Sequence, residues 1–327
     1  MQIVRTTLGF ICLIPILTGC KSDSPSRFFE TYSERVANVL DAADINQEIS
    51  IPQLPRKREL YLTIPPITLG LLDSYQLRQC GLFQLIAERN SVLGKVADDF
   101  SNYDYQSALL KGLTACIEDP KVDSELKPTL TSIRKEKRDQ LDMHQWNLLY
   151  TSDAMQAQLK GISLLTDGMS EQVQQVSNAL THLNKAFHSA SEKSNVVETQ
   201  ETLEKIAVVG NLYYSLSHSA ARLSLITEQL NNNDHKIICA PQRDTTRFKY
   251  LNNVFEQQYI GKVQPYLATL DSYYQQLSPN LTLFAPQPEL HPFIYPLEQS
   301  HSAFRQATLE HIQYWQRLFK RCGRKVG

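Results

Sequence analysis

The sequence predicts an all-α protein: an elongated multi-helix bundle with long antiparallel helices and one extended Pro-rich segment. Three observations carry this. Glycine is scarce, 12 in 327 residues, and leucine and glutamine are abundant, which favours helices over a β-rich fold. Apolar residues recur three and four apart over long windows. Prolines cluster within 52–66 and 279–296, where they forbid a helix.

In chain order, Phe29, Tyr32, Val36, Val39 and Leu40 mark a short amphipathic helix over 28–43. Pro52, Pro55, Pro65 and Pro66 bound an extended segment. Within it Leu60, Leu62 and Ile64 alternate with Tyr61 and Thr63, the pattern of a short strand lying along the bundle. From Leu69 to Ala87 the residues are apolar on most sides, which predicts a central, buried helix with Gly94 beyond its end. A third helix covers about residues 103–119, with Leu109, Leu113 and Cys116 on one face.

Residues 122–160 read as one or two helices with a charged patch from Arg134 to Arg138, and 169–190 as another. Ile206, Val209, Tyr213, Leu216, Ala220, Leu223 and Leu230 predict one helix over about 196–231, roughly 54 Å long at about 1.5 Å per residue. The rhythm returns over 244–277, where Pro265 predicts a kink or break. The last helix, about 297–322, carries Leu297, Phe304, Ile312, Trp315 and Leu318 on one side. No internal repeat of fixed period is present.

The stretch LIPILTGCKSDSPS, residues 13–26, sets the expected compartment. Arg5 precedes an apolar run from Leu8 to Leu17 that is too short to span a bilayer and has the length of a signal h-region. It closes with Leu17-Thr18-Gly19-Cys20, the form of a bacterial lipobox. Residues 1–19 are therefore expected to be a signal peptide, and Cys20 the acylated (palmitate-bearing) first residue of the mature chain. Residues 20–27 form a polar tether, and 28–327 the helical domain, with a possible subdivision near 161–195. Lys21 replaces the Asp that favours inner-membrane retention in enteric bacteria, so the expected location is the outer membrane, facing the periplasm.

Cys12 leaves with the signal and Cys20 carries lipid, so Cys80, Cys116, Cys239 and Cys322 remain. An even count in an oxidising compartment reads as two disulfides. Three connectivities are open. Cys80–Cys116 and Cys239–Cys322 are favoured because each pair lies within one half of the chain. No C-x-x-C pair supports zinc. The charge balance, 33 basic against 34 acidic residues, argues against nucleic acid as a partner.

LPRKREL (54–60), CGLFQLIAERNSVLGKV (80–96), WNLLY (146–150) and NVFEQQYIGKVQPYLATL (253–270) resemble a family catalogued as domain of unknown function 3080, in lipoproteins of gammaproteobacteria. The resemblance supports the lipoprotein reading. It implies no activity, substrate or catalytic residue.

Motifs for chemistry are sparse. There is no G-x-S-x-G, no H-E-x-x-H and no glycine-rich phosphate loop, so no catalytic residue, metal or cofactor is expected. His182 and His188 do not share a helical face well; His301 and His311 do, and read as half-buried polar residues. The candidate polar site is Glu88, Arg89 and Asn90, at the end of a nearly all-apolar helix, with Asp73 and Arg78 also interrupting it. Charges in such a place must be paired. Arg89 is expected to pair with Glu88 or Asp73, as a structural network rather than a ligand pocket. Arg56, Lys57 and Arg58 are a candidate contact for lipid headgroups, or a solvated loop. Lys320, Arg321, Arg324 and Lys325 suit the dipole at a helix C-terminus.

Three functions compete. A non-enzymatic binding or scaffold module with a protein partner in the envelope ranks first, and predicts a filled core with an apolar surface stripe. A carrier of an apolar ligand, opened by the kink at Pro265, predicts a large apolar cavity between helices with no convergent polar groups. A hydrolase using Glu88 or Glu59 predicts a cleft with two close carboxylates.

Overall fold

A computed structural model of the chain describes residues 24–45, 47–68, 70, 75–188, 194–240 and 245–324. Cys20, Asp73 and Lys325 lie outside the described residues, as does the lipobox. The described chain is all-α, with no strand. No described helix is long and apolar enough to cross a membrane.

The first helix, α1 (Pro25–Leu40), buries Phe29, Tyr32, Val36 and Leu40, the face its spacing predicts. The next segment is extended, as its prolines dictate, but it pairs with no strand. Instead Leu62 N–H donates to Asn147 Oδ1 (2.9 Å) and Asn147 Nδ2 donates to Leu62 O (2.8 Å), so one side chain replaces a strand partner. Between the prolines lies a single helical turn, α2 (Lys57–Leu60), which the sequence reading excluded.

The segment from Leu69 to Ala87 is not one central helix. Residues 77–81 form a turn, Gly81 has φ of 79°, and a helix α3 (Leu82–Asn90) follows. Phe83, Leu85 and Ile86 are only half-buried. Cys80 sits in the turn rather than in a helix. A short α4 (Val92–Lys95) leads to α5 (Asp99–Glu118), capped by Asp98, whose side chain accepts from Ser101 N–H at 2.9 Å. Residues 122–160 give three helices: α6 (Lys127–Asp139), α7 (Leu141–Thr151) and α8 (Asp153–Leu159). Then come α9 (Ser170–His188), α10 (Val197–Lys205) and α11 (Val209–Asn232).

The long helix expected over 196–231 is thus broken at residues 206–208. The 24 residues of α11 span about 36 Å. Buried Gln158 holds the break. Its Nε2 donates to Leu203 O (3.1 Å) and Ile206 O (2.8 Å), and its Oε1 accepts from Val208 N (2.8 Å) and Val209 N (2.9 Å). One side chain therefore serves both the last carbonyls of α10 and the first N–H groups of α11. At the same place the chain after α8 crosses α11 closely. A Cβ on Gly210 would lie 2.5 Å from the Lys160 carbonyl carbon, so only glycine fits.

The C-terminal part is α12 (Thr246–Val254), a π-helical stretch over Phe255–Val263, α13 (Gln264–Leu277) and α14 (Leu297–Arg321). Pro265 stands in the first turn of α13, where a missing N–H is tolerated, and the irregularity it predicts lies just before it as the π stretch.

Two apolar clusters result. The main one packs α1, α7 to α14 and the start of α5, around Phe29, Tyr32, Trp146, Tyr259, Tyr266 and Trp315. Leu165, Val173, Val176, Leu180, Leu183 and Val196 belong to it. A second, smaller cluster joins Leu77, Leu82, Leu109, Leu113, Cys116, Val122, Leu126 and Leu130. It forms a small lobe of α3, α5 and α6. Both disulfides have the favoured connectivity: Cys80–Cys116 ties the lobe (Cα–Cα 5.2 Å), and Cys239–Cys322 ties the end of α14 to the segment after α11 (4.9 Å). Closing loops of 36 and 83 residues stabilises each by about 4 kcal/mol in the chain-entropy model.

Candidate functional site

The candidate polar residues do not converge on one point. Arg78 is exposed at the start of the lobe, its guanidinium 4.0 Å from the Tyr75 ring centroid and 4.6 Å from that of Phe83. Glu88 is exposed and accepts from Gln84 Nε2 at 2.9 Å. Asn90 is exposed on its surface side but lines a cavity. Arg89 is half-buried.

Of the two partners expected for Arg89, Glu88 is not one, and Asp73 lies outside the described residues. Glu88 turns away from Arg89, and no ion pair of Arg89 exists among the described residues. Arg89 Nη1 donates to Gly94 O, and Nη2 donates to Asn102 Oδ1 at 2.9 Å. The α3–α4 turn makes the first bond possible: Ser91 Oγ donates to Glu88 O (2.6 Å) and accepts from Gly94 N–H (3.1 Å). A Cβ on Gly94 would lie 2.4 Å from Glu88 O. Among the described residues neutral oxygens, not a carboxylate, hold this guanidinium.

The network continues inward. With Asn102 Oδ1 accepting from Arg89, its Nδ2 donates to His144 Nδ1 at 3.2 Å. That puts the imidazole proton on Nε2. Burial, then Lys137 and Arg89, push the His144 pKa down to about 4, so the ring is neutral. Three buried atoms around this network, His144 Nε2, Gln106 Oε1 and Gln140 Oε1, have no hydrogen-bond partner.

Beside it, between α3, α5 and α6, lies a cavity of about 390 Å³. Leu77, Ile86, Leu109, Leu113, Ile133 and Ile67 give it apolar walls, and Asn90, Tyr105, Thr68 and Lys137 supply polar groups. Lys137 is half-buried and makes no hydrogen bond or ion pair among the described residues. Burial lowers its pKa; adjacent Glu136 opposes this and Arg89 reinforces it. Arg89 also lies 5.5 Å from the ring centroid of Tyr105, a cavity-lining residue. The sequence reading missed Lys137, which sits in a run of charges that looks uniformly solvated.

The other candidates are engaged elsewhere. Arg56 pairs with Glu59 (3.7 Å) and Lys57 with Asp153 (2.9 Å); Arg58 is exposed. Arg321 pairs with Asp234 and Arg324 with Glu256. Glu59 also accepts from Arg56 N–H at 3.3 Å, within its own helical turn. His301 and His311 share a face of α14 and are both buried, but each is consumed: His301 by Asp271 (2.7 Å), His311 by Tyr32 (2.9 Å) and Thr227 (2.8 Å). No group of three or more metal-ligating side chains exists among the described residues.

A family model described as "Protein of unknown function (DUF3080)" matches residues 29–326, and the chain belongs to that family. No curated protein and no solved structure matches the chain.

Proposed function

We propose that this family member is a lipid-anchored, non-enzymatic binding module of the bacterial cell envelope, and that its small lobe holds an apolar ligand. The cavity between α3, α5 and α6 carries the reading. Six of its ten lining residues are apolar, the other four carry polar groups, and its volume lies within the range of about 300–1,000 Å³ typical of ligand sites. The hydrolase alternative has no such support, because Glu88 and Glu59 are each bonded to near neighbours on the surface. Leu17-Thr18-Gly19-Cys20 supports the anchor, and Lys21 supports a location at the outer membrane, facing the periplasm. Two disulfides fit an oxidising compartment.

Cells fed labelled palmitate are expected to incorporate it into the wild-type chain and not into Cys20→Ala. Unlabelled wild-type protein refutes the anchor.

The ligand site is tested separately. Ile133 is a half-buried cavity wall, so Ile133→Trp fills the space from one side. Organic extraction of the full chain purified from its own membranes is expected to release an apolar compound in near-stoichiometric amount. The Ile133→Trp chain, with its Cys80–Cys116 bridge verified by mobility without reductant, is expected to release far less. Equal extracts from both refute the cavity as a ligand site.

A further inference from the structure

We infer that the ligand of the small-lobe cavity is a single-chain anionic amphiphile, with its carboxylate or phosphate head at Lys137 and its chain among Leu77, Ile86, Leu109 and Leu113. The inference rests on the proposed reading of the cavity as a ligand site and adds the chemistry of what enters it. The apolar walls select a hydrocarbon. At about 390 Å³ the cavity is near the small end of the range for ligand sites, which suits one chain rather than two.

The charge selects the head. Lys137 lines the cavity, and Arg89 stands near enough to lower its pKa. Neither has a carboxylate within ion-pair distance among the described residues. Glu136 is the acid that acts on Lys137, and its effect is smaller than that of burial. Two cations without an ion-pair partner among the described residues, one of them on the wall of a largely apolar space, repel each other and gain from a shared anion. Neutral His144 adds a buried Nε2–H with no partner next to them, and Asn90 adds an amide at the cavity wall. A free fatty acid and a single-chain lysophosphatidic acid both carry the required head.

Photocrosslinking in isolated membranes bearing the full chain tests this. The probes are an alkyne-tagged, diazirine-bearing sixteen-carbon fatty acid, the matching alcohol, and a lysophosphatidic acid with the same chain. Crosslinked peptides are mapped by mass spectrometry, which separates cavity labelling from the anchor at Cys20. At least one anionic probe is expected to label peptides of α3, α5 or α6 about ten-fold more than the alcohol, the effect of about 1.4 kcal/mol. The preferred anion tells carboxylate from phosphate. Lys137→Met is expected to bring anion labelling down to the level of the alcohol and to leave alcohol labelling unchanged, with Lys137→Arg restoring it. Equal labelling by alcohol and anions, insensitive to Lys137→Met, overturns the anionic head while leaving an apolar ligand site intact. No labelling of the lobe by any probe overturns both.

Discussion

Gln158→Leu is expected to cost at least about 4 kcal/mol of stability. Gln158 is fully buried, and its amide serves four main-chain groups: Leu203 O, Ile206 O, Val208 N and Val209 N. Leucine has nearly the same volume, so packing is largely retained while all four partners are lost. Each buried group left unpaired costs about 1–3 kcal/mol. Water reaches this point poorly, because Val208 and Val209 are themselves buried. Local rearrangement is blocked on one side by the close passage of Lys160 over Gly210. Urea unfolding of the purified protein measures the loss directly. Gln84→Leu is the control, since Gln84 bonds only to exposed Glu88 and should shift stability little. A loss under about 1 kcal/mol for Gln158→Leu would refute the account of the break.

The same residue explains why the break was illegible in the sequence. Ile206, Val209, Tyr213 and Leu216 keep their spacing across it, and no proline or glycine stands at 206–208. The partner that makes two helices cheaper than one comes from α8, nearly fifty residues earlier. Apolar spacing reports which face is buried, not whether the backbone is continuous. For α1 and α14 the spacing marks the buried face, and the ends of α9 and α14 lie within two residues of those expected. Where the sequence reading failed, over Leu69–Ala87, the residues are apolar but the lobe they enter is small. A turn at Gly81 and a short helix with half-buried Phe83, Leu85 and Ile86 stand where the central helix was expected.

The candidate site was legible to a similar degree. An arginine after an apolar run signals the need for a partner, but the sequence points to a carboxylate where the described partners are neutral oxygens. Its partners, Asn102 from α5 and, through it, His144 from α7, come from other elements and have no sequence mark. Lys137 was hidden for the opposite reason. Arg134, Lys135, Lys137 and Arg138 look alike in sequence, and only the packing of α6 against α5 turns one of them towards the cavity.

Stability is expected to fall steeply as pH drops from 7 to 5, and His311 is expected to carry about a third of the fall. His311 is fully buried in the main core. Thr227 Oγ1 donates to Leu223 O (2.7 Å), so it accepts from His311 Nδ1–H (2.8 Å); Nε2 is then left to accept from Tyr32 OH (2.9 Å). Trp315 Nε1 in turn donates to Tyr32 OH at 3.0 Å. The network is satisfied only with a neutral imidazole. Burial accordingly pushes the His311 pKa down to about 3. His144 and His218 are each held down to about 4, also by burial first. These folded-state values lie below the unfolded value near 6.5, so below that pH the unfolded chain binds more protons than the native one. The stabilisation is fully present above about pH 6.5 and is lost progressively down to the folded pKa values. By pH 5 each histidine has withdrawn about 2 kcal/mol, a large part of the 5–15 kcal/mol typical of a folded domain. Asp99, whose pKa is raised by burial first, works in the opposite direction. Urea unfolding at pH 7, 6 and 5 measures the fall. His311→Gln loses stability at pH 7 by breaking the network, yet its dependence on pH between 7 and 5 is expected to be shallower by about one third, because one proton is no longer taken up on unfolding. A wild-type stability that stays flat over this range, or a His311→Gln slope equal to that of wild type, would show that the imidazole is not held neutral in the core.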